Sequence, residues 1–302
     1  MSNSTKGADW VAPDCAGMNF YAVDRGLQSG IAAYLPADLR AVVEPQMDRL
    51  GALGGGRLDE LSRIADRHPP VLHPRDAAGR DLETIEHHPA YREMEQLAYG
   101  EFSMHRMCHV EGVFGWPEAM PPLVRYIFQY LFVQGEFGLI CPVSMADTGL
   151  TLMRNQASDE LKERYLPRML SNDMDELWRC AQFLTEQGAG SDVGNIEVMA
   201  RAEGDHWLID GDKWFCSNAD AEVILLLART EGAVAGSRGL SMFLVPRELD
   251  DGNRNHYRIV RLKDKLGTCS MASGEVTLDG AVGYLIGELN TGIKQIMKTV
   301  SL

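Results

Sequence analysis

The chain has 302 residues, of which 45% are hydrophobic, so it is long enough for two domains with their own cores. It carries 43 acidic and 29 basic residues, a net charge of −14, and the absence of any basic cluster argues against direct binding to nucleic acid. No apolar run approaches the ~18 residues that span a bilayer, and the first ten residues lack an apolar signal core. The sequence therefore predicts a cytoplasmic protein that does not enter membranes.

The cysteines and histidines give no metal-binding pattern. The six cysteines are far apart in the sequence and contain no C-x-x-C pair, which favours reduced thiols over a disulfide framework or a zinc site. His105 and His109 lie four residues apart in a predicted helix and could share one face, but no third ligand is evident. We predict a surface or packing role for both histidines and no metal site.

The N-terminal part has a predominantly helical pattern. Residues 1–30 show no periodicity and predict an arm lying over the surface. From Pro36, apolar residues recur at spacings of three and four, which predicts a helix with this proline in its first turn. The Gly-rich residues 51–56 then end the helix. They are interpreted as a linker rather than a phosphate loop, because no strand precedes them and no Lys-Ser/Thr follows.

Helical patterns continue up to about residue 178. A short helix is predicted over residues 58–68, then a loop to residue 83, and helices again from Pro89. The strongly apolar and aromatic residues 113–149 predict the core of this helical part. Ser158 begins a further helix that extends through Met169, with acidic residues in its first turn.

Beyond Cys180 the apolar period changes from about 3.6 to 2, which indicates β-structure. About seven short strands without intervening helices are typical of a barrel or sandwich rather than βαβ units. The predicted strands cover residues 197–203, 206–210, 213–216, 222–230, 239–245, 257–262 and 275–278. The fold class is therefore α+β, with an arm and all-helical domain over residues 1–178 and a β-barrel domain over residues 179–283.

The last segment, residues 284–302, predicts the first helix of a C-terminal bundle. Its apolar residues form one helical face with a cap near Asn290, and they are Ile286, Leu289, Ile293, Ile296, Met297 and Val300. Such a face must be buried. We expect that it docks on another chain, or that a third part of the protein is missing from this sequence.

Residues 181–192 form the first of two segments that point to chemistry. Gly188 and Gly190 resemble a dinucleotide fingerprint, but the next glycine comes one place too late and a strand-like pattern follows, so the Rossmann interpretation fails. The segment instead offers free backbone N–H groups and the hydroxyls of Thr185 and Ser191. These groups lie beside an apolar wall from Phe183 and Leu184, an arrangement suited to the edge of a planar heteroaromatic ring.

The second segment, residues 213–218, adds complementary groups. Phe215 offers a stacking face and Ser217 a hydroxyl, and Cys216 between them is interpreted as a half-buried apolar residue. Either segment alone is typical of ordinary strand ends and turns. Their joint presence about 30 residues apart favours a cofactor pocket.

Four segments resemble the flavin-dependent acyl-CoA dehydrogenases in content, order and spacing. They are residues 184–192 (LTEQGAGSD), 210–218 (DGDKWFCSN), 262–267 (LKDKLG) and 273–276 (SGEV). Residues 141–145 (CPVSM), 246–255 and 261–267 resemble the alkylation-response (AidB-like) branch of that family. The resemblance covers the chain from about Pro89 onward, more weakly before, and is strong in the β-domain.

This resemblance implies a helical domain, a β-barrel and FAD held between the barrel and a C-terminal four-helix bundle. It implies that the isoalloxazine is lined by Gln182, Phe183, Leu184, Thr185, Gly190, Ser191, Phe215, Cys216 and Ser217. Thr185 and Ser217 would hydrogen-bond the polar rim of the ring, and Phe215 would pack on it. Donors at that rim stabilise the negative charge that reduction places there.

The implied reaction is α,β-dehydrogenation of an acyl thioester, either acyl-CoA or carrier-bound, in which a base removes the α-proton and flavin takes the β-hydride. The family's base is a glutamate of the C-terminal bundle. Glu186 does not occupy its position, so no catalytic residue is assigned in this chain. We expect the chain to need a second chain carrying the bundle, or a homo-oligomer. The sequence does not indicate the electron acceptor.

Two alternatives stay open. The chain could be a non-catalytic FAD-binding or assembly subunit of the AidB-like type, or a truncated product.

Overall fold

The computed structural model describes residues 14–300, which form a helical part, a β-domain and a final helix. The helices are α1 (Phe20–Val23), α2 (Arg25–Tyr34), α3 (Ala37–Gly54), α4 (Arg57–Arg67), α5 (Pro89–Glu95), α6 (Pro122–Val133), α7 (Ile140–Gln156), α8 (Asp159–Met169) and α9 (Gly292–Val300). A π-helical turn, Gln96–Glu101, continues α5. None of the helices in residues 14–300 is both long and apolar enough to cross a bilayer.

The strands form a small hairpin and one large sheet. They are β1 (Val71–Arg75), β2 (Asp81–Glu86), β3 (Cys180–Phe183), β4 (Met199–Glu203), β5 (His206–Ser217), β6 (Val223–Thr230), β7 (Leu240–Pro246), β8 (Tyr257–Leu262) and β9 (Ser273–Ile286). In the seven-stranded sheet the pairings β6–β4–β5–β9–β7 return to β6, which closes a barrel. The other two strands, β3 and β8, pair with β6 and β9. The predicted helical part followed by a β-barrel is confirmed.

The predicted arm is wrong over residues 20–30, which belong to α1 and to α2. Local caps compensate for the weak periodicity there: the Asn19 side chain accepts hydrogen bonds from the backbone at Tyr21 and Ala22, and Asp24 caps α2 through Leu27 N at 2.8 Å. Part of the predicted arm, residues 1–13, lies outside the described residues.

The Gly-rich residues 51–56 are not a linker, because α3 continues through Gly54. The glycines let two segments approach closely: a Cβ at Gly51 would lie 2.5 Å from the backbone nitrogen of Tyr21. Another prediction, the loop over residues 69–83, is also wrong in part, since β1 and β2 pair there as an antiparallel hairpin. The turn is fixed by Asp76, whose Oδ1 accepts from Ala78 N at 2.8 Å.

The aromatic core predicted within residues 113–149 is only partly buried. Phe128 and Phe132 on α6 have no exposed surface, whereas Tyr126 and Tyr130 on the same helix and Phe137 beyond it are exposed. The apolar stripe of α6 is therefore narrower than its aromatic content indicates.

The final helix begins later than predicted. Ile286 ends β9 and Leu289 lies in the connecting turn, so α9 starts at Gly292. The helix contacts β7 and α7, and Ile296 is buried. Part of the apolar face of α9 is thus buried against its own chain, while Met297 stays exposed.

A buried cluster of charges joins the helical part to the β-domain. Arg179 lies just before β3, and its guanidinium contacts Glu95 of α5 at 3.3 Å and Glu222 at 2.8 Å. It also contacts Asp220 at 3.3 Å. Because these partners come from both halves, the cluster fixes the position of β3 relative to the helices.

Candidate functional site

The two segments singled out in the sequence meet where β3 ends and β5 bulges. The backbone N–H of Trp214 donates to the carbonyl oxygen of Thr185 at 2.9 Å. The register of β5 against β9 shifts between Lys213 and Cys216, which is a β-bulge. The bulge turns Trp214 and Phe215 away from regular pairing, and residues 182–185 and 214–217 come to lie side by side.

A buried ion pair holds this junction together. Lys213 Nζ lies 2.7 Å from Glu186 Oε1, and the Lys213 side chain has no exposed surface. Glu186 also accepts hydrogen bonds from the backbone N–H groups of Glu197 at 2.6 Å and Val198 at 3.3 Å. Burial lowers the pKa of Lys213, and the Glu186 carboxylate opposes that shift. Glu186 is therefore engaged in holding the loop and is not a free carboxylate that could act as a base.

The loop after Glu186 leaves open space over its backbone. A Cβ at Gly188 or Gly190 would meet no atom within 4 Å. In the part of the chain that the structure describes, no hydrogen bond engages the backbone N–H of Gly190 or Ser191. These two N–H groups therefore take no part in the hydrogen bonding of the described residues.

Strand alternation divides the predicted residues of β3 between two faces. Gln182 and Leu184 are half-buried on the face that packs against α7, whereas Phe183 is 1% exposed in the core. The Phe183 side chain therefore does not form the predicted apolar wall. Cys216 is also fully buried, and burial raises the pKa of its thiol. Only the backbone of these two residues could border a ligand.

The predicted residues of β5 are more accessible. Phe215 is 55% exposed, and the ammonium of Lys263 lies 4.8 Å from the centroid of its ring. Ser217 is half-buried and lies near Cys141 on α7; burial raises the pKa of the Cys141 thiol, and the Ser217 side chain opposes that shift. An aromatic face and a hydroxyl are thus placed next to the helical part.

A cavity of about 520 Å³ lies beside this junction, between α6, α7 and the end of β3. Gln182 is the predicted site residue that lines it, and its Nε2 donates to Thr148 Oγ1 of α7 at 2.6 Å. Other wall residues are Cys108, Tyr126, Gln129, Cys141, Ser144 and Met145. No local sequence pattern marks this cavity, because its walls come from segments that are distant along the chain.

One end of the cavity is formed by a histidine, an aspartate and an arginine. His109 Nε2 lies 3.0 Å from Asp147 Oδ1, and Arg125 of α6 pairs with the other oxygen of Asp147. Burial, together with Arg154 and Arg125, lowers the pKa of His109 to about 4, so its imidazole is neutral near pH 7. Because Asp147 also neutralises Arg125, it acts as an acceptor, and His109 Nε2–H donates to it.

The two histidines considered as metal ligands have different partners. His105 and His109 lie in irregular turns rather than a regular helix, so their spacing does not place them on one face. His105 Nε2 bonds the carbonyl oxygen of Ser171 at 3.0 Å, and burial lowers its pKa to about 3. Within residues 14–300, no group of three or more His, Cys, Asp or Glu side chains could hold a metal ion.

Two family models match the chain. Residues 11–176 match the adaptive response protein AidB N-terminal domain, and residues 181–281 match the acyl-CoA dehydrogenase middle domain. Acyl-CoA dehydrogenase family member 11 of Caenorhabditis elegans is 31% identical over 94% of this chain and 47% of its own length. AidB of Escherichia coli (strain K12) is 36% identical over 82% of this chain and 45% of its own length.

Two solved structures are similar to this chain over nearly its whole length. The apo form of Bd2924 superposes with a TM-score of 0.84 at 30% identity, covering 96% of this chain and 58% of that one. The Caenorhabditis elegans ACDH-11 complex with C11-CoA superposes with a TM-score of 0.83 at 28% identity, covering 99% of this chain and 51% of that one. The chain spans about half the length of the curated relatives it matches.

Proposed function

The chain belongs to the acyl-CoA dehydrogenase family, in its AidB branch, and from this premise we propose that it supplies the β-domain half of an FAD site for the α,β-dehydrogenation of an acyl thioester. The observation that carries the proposal is the position of Gln182. Its side chain lines the cavity next to α7, while the same strand leads into the residues expected at the flavin edge. A ring held at that edge would border the cavity, which is large enough for an acyl chain.

The residues at the junction fit a flavin. The free backbone N–H groups of Gly190 and Ser191 and the hydroxyls of Thr185 and Ser217 are suited to the polar rim of the ring. The exposed face of Phe215 is suited to pack on it. We propose a division of the chain into a helical domain over residues 1–178, a barrel over residues 179–283 and the start of a bundle over residues 284–302, with the last strand of the barrel, β9, extending to Ile286.

Bound FAD would supply a hydride acceptor for the β-carbon of the substrate. The chain's own residues hold and orient the ring and exclude water from the acyl group. The base that takes the α-proton is expected from the half of the relatives that this chain does not span. Glu186 is not proposed for that role, because Lys213 and two backbone N–H groups engage its carboxylate.

We further propose that the remaining half of the site comes from a C-terminal helical bundle, on a second chain or through homo-oligomer formation. All six cysteines, which lie within the described range, are free, which supports a cytoplasmic location.

The test is to titrate the purified chain with FAD and then add the C-terminal half of an AidB-type relative. We expect weak FAD binding by this chain alone, tighter binding after the addition, and bleaching of the flavin absorbance by an acyl-CoA only in the mixture. Full turnover by this chain alone would contradict the proposed half-site.

The same experiment separates the alternative, a non-catalytic FAD-binding or assembly subunit. That role is favoured by the engagement of Glu186 in an ion pair, which makes the carboxylate closest to the end of β3 unavailable as a base. It predicts complex formation in the mixture without bleaching by any acyl-CoA.

A further inference from the structure

The polar end of the cavity contains an unused hydrogen-bond acceptor. His109 Nε2–H is committed to Asp147, so the neutral imidazole carries its lone pair on Nδ1. Among the described residues, Nδ1 has no hydrogen-bond partner. The His109 side chain is only 8% exposed and lines the cavity, so a ligand in the cavity can reach its Nδ1 atom.

The surrounding charges select a neutral donor for this acceptor. A carboxylate is disfavoured because it would face the Nδ1 lone pair, and because Arg125, the cation that could pair with it, is already paired with Asp147. A cationic group would lie near both Arg125 and Arg154, whose side chain donates to the His109 carbonyl oxygen. A hydroxyl group can donate to Nδ1 without bringing either charge into the cavity.

An alkyl chain at this position would displace water and leave the imidazole acceptor unpaired. Sites built to bond a substrate hydroxyl discriminate against analogues that lack it, because the buried protein group then loses its partner. The free-energy cost of the unpaired acceptor therefore weakens the binding of an unsubstituted acyl chain, whereas a hydroxylated acyl chain pairs with the acceptor and avoids that cost.

We propose that the His109–Asp147 pair selects acyl thioesters that carry a hydroxyl group on the acyl chain. Asp147 acts as a positioning residue: it fixes the tautomer and orientation of the imidazole, and His109 accepts the substrate hydroxyl. This inference rests on the proposed acyl-thioester function and specifies its substrate class.

The test compares octanoyl-CoA with the series of monohydroxyoctanoyl-CoA esters, by calorimetry on the protein reconstituted with FAD and the C-terminal half. We expect one hydroxyl isomer to bind about tenfold more tightly than octanoyl-CoA, the effect of about one neutral hydrogen bond. Equal or weaker binding of every isomer overturns the inference but leaves the acyl-thioester function intact. If no ester binds, the proposed function fails as well.

Variants assign the discrimination to the imidazole. We expect His109→Phe to bind all esters with the affinity of octanoyl-CoA, and His109→Gln, which keeps an acceptor oxygen, to retain part of the preference. His206→Phe removes a half-buried histidine that contacts Asp205 at 2.9 Å outside the cavity, and it should keep the full preference. Discrimination that survives in His109→Phe overturns the assignment.

Discussion

Lys213 and Glu186 lie 27 residues apart in the sequence and neutralise each other inside the protein, with Nζ 2.7 Å from Oε1. Lys213 belongs to β5 and Glu186 to the loop after β3. The pair therefore ties the two segments of the candidate flavin site to each other.

Replacing Lys213 with methionine is expected to destabilise the fold by roughly 3–5 kcal/mol, because the Glu186 carboxylate would stay buried without its counter-ion. Urea unfolding followed by circular dichroism measures this. Arg201→Met is the matched control, since the Arg201–Glu203 pair is exposed and worth only about 0–1 kcal/mol. A loss as small as that of the control would show that Glu186 can be neutralised without Lys213.

Gly51→Ala should destabilise the fold by roughly 1–3 kcal/mol, because the new methyl group would collide with the backbone of Tyr21. Gly30→Ala is the control within α2, where a Cβ meets nothing within 4 Å, and it should stabilise by about 0.5–1 kcal/mol. Thermal unfolding of both variants distinguishes the two sites. Equal effects would contradict the close approach of α3 to the chain at residues 18–21.

Stability should fall as the pH drops from about 6.5 to about 4. Burial lowers the pKa of His109 to about 4 and of His105 to about 3. In this range the unfolded chain binds protons at both histidines while the folded chain does not, so acid favours unfolding. The stabilisation that comes from keeping both histidines neutral is fully present above their pKa in the unfolded chain, and it is lost as the pH falls below that value towards their pKa in the folded chain.

Urea midpoints at pH 7, 6 and 5 measure this dependence for the wild type and for His109→Gln. The variant should lose less stability between pH 7 and pH 5, with a difference on the order of 1–2 kcal/mol. Parallel profiles would mean that His109 is not held neutral in the folded state.

Ser217→Ala should weaken FAD binding about 3- to 10-fold, the loss of one hydrogen bond at the rim of the ring. Quenching of FAD fluorescence measures the affinity. Ser29→Ala is the control, because Ser29 is exposed on α2 and its hydroxyl donates to the Arg25 carbonyl oxygen, away from the proposed site. Unchanged affinity in Ser217→Ala would remove Ser217 from the proposed site.

The barrel was predictable because its signals are local. Alternation over β4 and β5 and the turn at Gly204, which has a φ of 63°, stand next to each other in the sequence. The hairpin of β1 and β2 was not predictable in this way. Pro74 interrupts its first strand, its second strand is mostly polar, and it packs against β8, which lies far away in the sequence.

The candidate site was predictable in part for the same reason. The segments around Thr185 and Phe215 carry recognisable local patterns, so their proximity could be inferred. The burial of Phe183 and Cys216 depends on which face of each strand points to the core. The bulge in β5 shifts the alternation of inward and outward side chains, so this face cannot be read from the sequence pattern. The His109–Asp147 contact joins residues 38 apart through packing alone, and no sequence period reveals it.

Helix α7 holds two other residues of the cavity wall through consecutive positions. Asp147 holds His109 and Thr148 holds Gln182, so a single peptide unit of a rigid helix separates the two anchoring points. Because Asp147 and Thr148 are joined by one peptide bond, insertions in loops elsewhere in the chain do not change the distance between these two anchoring residues. Relatives that differ in loop length would keep the same distance between the His109 imidazole and the Gln182 amide. Inserting one residue between Asp147 and Thr148 would instead rotate these two positions a further ~100° apart around the helix and separate the two side chains that they hold.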